Sequence, residues 1–369
     1  MRTSDVAVIG AGIVGLSTAH ALRERGASVT VFERATPGDA QSGGASRIFR
    51  HAHDDPRLVA FARESRAVWR EWEARFGAEM ISGDGAIAIG PRVAPRMRAI
   101  DEAGGVAARI VDGAELAGRM PLLAGHEGPA LLDEAGGAIR TRAAVTALAG
   151  SIGDALVREE VVSLAQQGDA VRIDAAGRTS VHGRAIVCAG RETARFARAV
   201  GCEIPVALSA HLRLTFAVAG APPARLACLQ DGTGRFGEPA VYGAPMPGNA
   251  RFGLGVSTSV PAREDGALLD PAAPAALARR AAAYVGRALP GLRPEPVGAR
   301  NCWVTELPWG PDGLAVWEQG PVLLVAGHNL FKQAPGLGRA LAAAAAGDGL
   351  PDVLRPEARL GASADVANA

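Results

Sequence analysis

At 369 residues the chain is longer than one ordinary hydrophobic core supports, and an apolar share of 48% is enough for two domains. Thirty-nine basic against 38 acidic residues leave a formal charge of +1, which excludes the one-signed field that holds nucleic acid or an anionic membrane and points to a small uncharged or zwitterionic partner. No apolar run approaches the roughly 20 residues of a membrane span, and the glycine-rich start lacks the pattern of a signal peptide, so a soluble cytoplasmic protein is expected.

The first element is the clearest. DVAVIGAGIVGLSTAHALRERGASVTVFER, residues 5–34, reads as a strand, a glycine turn, a helix from about Ile13 to Gly26, and a second strand ending in an acid. Gly10, Gly12 and Gly15 form G-x-G-x-x-G: the first permits the tight turn, the second lets backbone approach a pyrophosphate, and the third packs helix on strand. Glu33 falls about 20 residues on, where a ribose hydroxyl needs an acceptor. The set read from this unit is Gly10, Gly12, Ile13, Val14, Gly15, Glu33 and Arg34. The fingerprint serves NAD and FAD alike.

Next comes QSGGASRIFRHAHDDP, a small-residue loop containing Ser42 and Ser46 and ending in Arg47 and Arg50, which share a face if the segment is helical. The following helix buries Leu58, Phe61, Val68, Trp69, Trp72 and Phe76, a stripe read as core. Residues 83–140 and 205–298 alternate short strands with Gly/Pro punctuation and read as a second, sheet-rich unit. Between them, RAIVCAGRETARFARAVG carries a strand over 185–188 into a turn at Ala189 and Gly190. Near the end, a strand over 322–326 leads through a loop to a helix entered at Pro335 or Gly336 and closed by Gly347. The expected fold is α/β. A Rossmann-like nucleotide domain is assembled from discontinuous segments 1–82, 141–204 and 299–350. An α+β substrate domain with a mostly antiparallel sheet takes 83–140 and 205–298, and 351–369 forms a weakly ordered tail. The four cysteines, Cys188, Cys202, Cys228 and Cys302, lack CxxC spacing and are expected as free thiols. His51 and His53 have no third ligand nearby, so no metal is expected.

These motifs in this order resemble the amine-oxidising flavoproteins of the D-amino acid oxidase superfamily, with the nearest branch similar to monomeric sarcosine oxidase and N-methyltryptophan oxidase. The resemblance spans nearly the full length, through the glycine turn with Glu33, SRIFRHAH, AIVCAG, NCWVTELPWGPDG and AGHNLFKQAPGLG. It implies FAD lying across the nucleotide domain, with a thioether from Cys302 to the flavin ring. Arg47 would lie beside the flavin, the backbone at Val161 would meet the adenine, and Gly327, Gly336 and Gly338 would belong to the cofactor surface. Arg50 and Lys332 would grip a substrate carboxylate, with His328 and Asn329 as further pocket candidates. The implied reaction is oxidation of the C–N bond of a small secondary or N-substituted amino acid (an N-alkylglycine, glycine or a cyclic imino acid) by hydride transfer to flavin. Imine hydrolysis and reoxidation by O2 to hydrogen peroxide follow.

Lys332 is the only lysine, the other 38 basic residues being arginine. A compact ammonium on a thin stem fits where a planar guanidinium does not, which places Lys332 first among the site residues. The same count exposes a departure: the sarcosine oxidase branch uses a second lysine to promote reaction with oxygen, and the matching strand here carries Gly253. Loss of that lysine should slow the oxygen reaction unless Arg251, His328 or a bound water substitutes. The alternative is a flavin-dependent dehydrogenase passing electrons to a quinone or carrier.

Overall fold

A computed structural model describes residues 4–362. Its first sheet has six strands in the order Leu314–Gln319, Val322–Gly327, Arg184–Val187, Val6–Ile9, Val29–Phe32 and Leu156–Val157. All neighbours run parallel except the first pair, an antiparallel hairpin. The central strand reads V-A-V-I because both faces are covered, as parallel sheets require. Val6, Val8 and Val31 pack into a core with the helices Ile13–Glu24, Pro56–Phe76, Thr141–Ile152 and Leu330–Ala345. Ala7, Ile9 and Phe32 face the other way, onto the three-stranded antiparallel sheet of residues 161–182.

The second unit is a nine-stranded sheet, antiparallel except where Cys228–Asp231 pairs with Ala86–Ile89. Its long strand Ala207–Val218 alternates Leu212, Leu214 and Phe216, which face a core closed by the helix Ala273–Ala288, with His211 and Arg213 on the opposite side. The strand Leu292–Glu306 pairs with it through to Glu306. Residues 299–306, Cys302 among them, are therefore paired within this sheet. The ladder of backbone hydrogen bonds carries the strand past the expected boundary.

Two further expectations need correction. Residues 352–362 are not a loose tail: Leu354 and Leu360 are fully buried in the first core, Trp309 Nε1 donates to the Leu360 carbonyl at 3.1 Å, and Gly361 N donates to Asp55 at 2.9 Å. Residues 363–369 lie outside the described residues. The last helix begins at Leu330, not at Pro335, which sits inside it. A proline within a helix removes a backbone donor and crowds the preceding turn. Here Trp69 Nε1 at 3.0 Å and Ser17 Oγ at 2.7 Å donate to the carbonyls of Lys332 and Ala334, so packing against the neighbouring helices holds the turn that local propensity disfavours. Among the described residues no helix is long and apolar enough to cross a membrane.

Candidate active site

One elongated cavity of about 860 Å³ runs between the two sheets, from the glycine turn to the first turn of the last helix. At its nucleotide end Gly10 takes φ +98°, and a Cβ there would stand 2.6 Å from the Cys188 carbonyl oxygen. A Cβ on Gly15 would fall 1.9 Å from the Gly10 carbonyl, so the first helix approaches its own turn as only glycine allows. Glu33 is pinned by two backbone donors, Ala11 N–H to Oε2 at 2.8 Å and Ala35 N–H to Oε1 at 2.9 Å. Its carboxylate keeps lone pairs free for ribose hydroxyls. Ser42 Oγ accepts from Ile13 N–H at 2.9 Å at the start of the helix. Arg34 lies 3.4 Å from Glu160, beside Val161, and both Arg34 and Val161 line this end with Ala189 and Gly190.

The middle of the cavity is defined by two guanidiniums, that of Arg213 on a buried residue and that of Arg47 on a half-buried one. Arg47 donates to the carbonyls of Ser46 at 3.0 Å, Gln41 at 3.3 Å and Gly43, and its Nη2 lies 3.9 Å from Cys302 Sγ. Arg213 donates to the Ser46 carbonyl at 2.8 Å and to Ser46 Oγ at 3.2 Å. Neither has a carboxylate within ion-pair distance among the described residues. Burial first and then Arg213 push Arg47 down to about 10, which leaves it charged at neutral pH. Burial likewise pushes His211 down to about 4 and, with His211 adding, His328 down to about 3, so both histidines are neutral. Their rings meet edge to face at 5.8 Å, and Tyr242, raised to about 12 by burial, sits 3.4 Å from His211.

The far end is an ion cluster centred on Asp312. Its carboxylate accepts from Arg50 Nη2 at 2.6 Å and from Asn329 Nδ2 at 2.8 Å, with His53 Nδ1 at 3.0 Å and Lys332 Nζ at 3.5 Å. Burial alone would raise the Asp312 carboxyl, but Arg50, Lys332 and His53 outweigh it and hold it well below the usual carboxylate range. Burial pushes Lys332 down to about 8 against the pull of Asp312. His53 is held neutral by burial and by Arg50.

Most of the residues singled out in the sequence meet in this cavity, but four do not line it. Gly15 serves the turn itself, and Ser46 anchors Arg213. Gly336 and Gly338 lie inside the last helix, where a Cβ would strike Ser65 Oγ at 2.6 Å and Ser17 Oγ at 2.2 Å respectively. They are contacts between helices and not cofactor surface. What opens to the cavity instead is the helix's first turn, Leu330 to Lys332. Arg47 and Arg50 do not share a helical face either: Arg47–Phe49 is a strand paired with Gly137–Ile139. Sequence reasoning missed His211, Arg213, Tyr242 and Asp312. The first two carried a signal in the alternation of H-L-R-L along their strand, and Asp312 lies inside a motif already quoted. At Gly253, the position without a lysine, a built Cβ would stand 2.9 Å from Arg213 Nε. The cation beside this position is therefore Arg213 of the neighbouring strand, whereas Arg251 is exposed.

An FAD fits these residues. The turn and Glu33 would hold the pyrophosphate and ribose, and the two guanidiniums without counterions would face the ring, where reduction places negative charge. Comparison with known proteins agrees. The profile of the DAO family, FAD dependent oxidoreductase, matches residues 5–344. Monomeric sarcosine oxidase of Streptomyces avermitilis is 30% identical over 200 residues, an alignment covering 51% of this chain and 52% of that protein, so the chain spans about half the length of this curated relative. Among solved structures, NikD, described as an unusual amino acid oxidase essential for nikkomycin biosynthesis, superposes with TM-score 0.84 at 21% identity over 98% of both chains. L-proline dehydrogenase from P. horikoshii superposes with TM-score 0.81 at 18% identity over 95% of both. At such identities the likeness speaks to the fold, whereas the family profile spans nearly the whole cavity-bearing chain: this protein belongs to the DAO family of FAD-dependent oxidoreductases.

Proposed function

We propose that the chain oxidises the C–N bond of a small secondary or N-substituted amino acid, such as an N-alkylglycine or a cyclic imino acid. The observation that carries this reading is the excess of cations at the end of the cavity: Arg50 and Lys332 face it together with one internal carboxylate, Asp312. A substrate carboxylate completes the balance. FAD, when bound, supplies the acceptor for the hydride leaving the carbon beside nitrogen; water hydrolyses the imine of an open-chain substrate to a carbonyl compound and an amine, whereas a cyclic substrate gives a cyclic imine.

The residues themselves do the rest. Arg50 and Lys332 fix the carboxylate, and through it the reacting carbon. Asn329 and His53 hold Asp312, which in turn keeps both cations extended into the cavity. The surrounding positive charge of Arg47 and Arg213 disfavours the ammonium form of a bound amine, and the lone pair that hydride transfer needs is thereby kept available. Neither His328 nor His211 is basic enough to take that proton at neutral pH. Cys302, facing the cavity beside Arg47, is the residue for a thioether to the flavin.

Arg213 against Gly253 supports oxygen as the acceptor, because it supplies the positive charge that the missing lysine would have given. Anaerobic mixing of the flavin-loaded protein with sarcosine, glycine, pipecolate and N-methyl amino acids tests the proposal. Bleaching of the flavin band by at least one of them is expected, and no bleaching by any would refute it. Peroxide yield against dye reduction then separates an oxidase from a dehydrogenase.

A further inference from the structure

Beyond Arg50 the cavity continues to a wall built by the second unit. Arg92 and Arg96, four residues apart at the start of the helix Val93–Ala103, clasp Asp54: Arg92 makes a close ion pair and Arg96 Nε stands off at 3.4 Å. Arg96 Nη1 lies 3.3 Å from Gln230 Oε1, and its Nη2 makes no hydrogen bond among the described residues. The side chain is only 15% exposed, yet it lines the cavity. Burial first, and then Arg50, push it down to about 10, and Arg96 in turn lowers Lys332, so the two basic groups belong to one electrostatic neighbourhood. Asp231, next to Gln230, also lines the cavity, but its carboxylate is taken up by Tyr284 at 2.7 Å and by Thr233.

A guanidinium held by two long contacts, with Nη2 left over on the cavity side, keeps an unfilled hydrogen-bonding deficit there. One substrate carboxylate on Arg50 and Lys332 leaves that deficit in place. We infer that Arg96, with the amide of Gln230, forms a second anion subsite, and that the substrate is an amino acid carrying two carboxylates, one gripped by Arg50 and Lys332 and the other by Arg96. N-carboxyalkyl glycines and N-alkyl acidic amino acids are of this class. The inference rests on the carboxylate grip proposed above, and its test separates the two.

The test uses flavin-loaded protein and thioethers, in which sulfur replaces the oxidisable nitrogen: (methylthio)acetate with one carboxylate, and the dicarboxylates in which the methyl becomes a chain of one to three carbons ending in a second carboxylate. Dissociation constants are read from the change in flavin absorbance. At least one dicarboxylate is expected to bind about tenfold or more tightly than (methylthio)acetate, the scale of a close charge pair shielded from water. Arg96→Gln should erase that advantage while leaving (methylthio)acetate within about threefold, and Arg96→Lys should keep part of it. Dicarboxylates that bind the wild-type protein no tighter overturn the subsite and leave the first grip standing. So does an advantage that survives Arg96→Gln. Failure of every probe, (methylthio)acetate included, overturns the grip itself and the inference with it.

Discussion

Replacing Lys332 by methionine removes one ammonium from the end of the cavity at nearly constant volume. Lys332 is 4% exposed and its Nζ lies 3.5 Å from Asp312, so the charge acts where water screens little. Truncating one partner of a buried charge pair with a ligand costs about 2 to 5 kcal/mol, and Asp312, which already offsets part of the ammonium charge, argues for the lower end. Binding of a carboxylate ligand should therefore weaken by about 30- to 100-fold. The sign of the pH effect follows from the ammonium, which burial pushes down to about 8. Below that pH the lysine is charged and affinity is constant. Above it the charge is lost, and affinity falls by about tenfold per pH unit until it reaches the level of the variant, whose own profile is flat. (Methylthio)acetate titrates outside this range, and Arg47 and Arg96, both pushed down to about 10, keep most of their charge up to pH 9, so flavin absorbance titrations from pH 6 to 9 isolate the lysine. A wild-type constant that stays flat across that range, or a Lys332→Met constant within threefold of wild type at pH 7, would refute the reasoning.

Other substitutions test the remaining parts. Gly336→Ala drives a methyl to within 2.6 Å of Ser65 Oγ and 3.1 Å of the Phe61 ring, so it should lower stability by about 1 to 3 kcal/mol in a melting experiment while the protein keeps its flavin. A loss of flavin without a loss of stability would return Gly336 to the cofactor surface. Arg213→Met should slow reoxidation by oxygen by about tenfold or more and leave anaerobic reduction within about threefold, as stopped-flow absorbance would report. Equal slowing of both steps would assign Arg213 a structural task at Ser46. Acid precipitation of the wild-type protein should leave yellow colour in the pellet, and Cys302→Ala should release it to the supernatant; colour released by both removes the thioether.

Asp312 gives the site its particular character. The two cations proposed to grip the substrate would repel one another in an empty site, and a resident carboxylate offsets that repulsion. Its partners come from two separate stretches of chain: Arg50 and His53 after the first loop, and Asn329 and Lys332 around the start of the last helix. Under the proposed grip, the excess of positive charge remaining after Asp312 is what an incoming carboxylate would meet.

The chain's local chemistry was legible without coordinates wherever neighbours in sequence are neighbours in space. The turn at Gly10, Gly12 and Gly15, the acid at Glu33 and the period of the first helix all depend on dihedral angles and hydrogen bonds within about thirty residues, and side-chain type alone decides them. Lys332 stood out for a different reason, its rarity against 38 arginines. The positions that sequence misassigned are those governed by distant packing. Gly336 and Gly338 look like a cofactor turn until the helices carrying Ser65 and Ser17 are seen against them, and Pro335 looks like a helix start until Trp69 and Ser17 are seen donating to the preceding carbonyls. Arg213 beside Gly253, and Asp312 between Arg50 and Lys332, are pairings across strands and domains. A charge acts through space, and only the tertiary structure decides which other charges lie within a few ångströms of it.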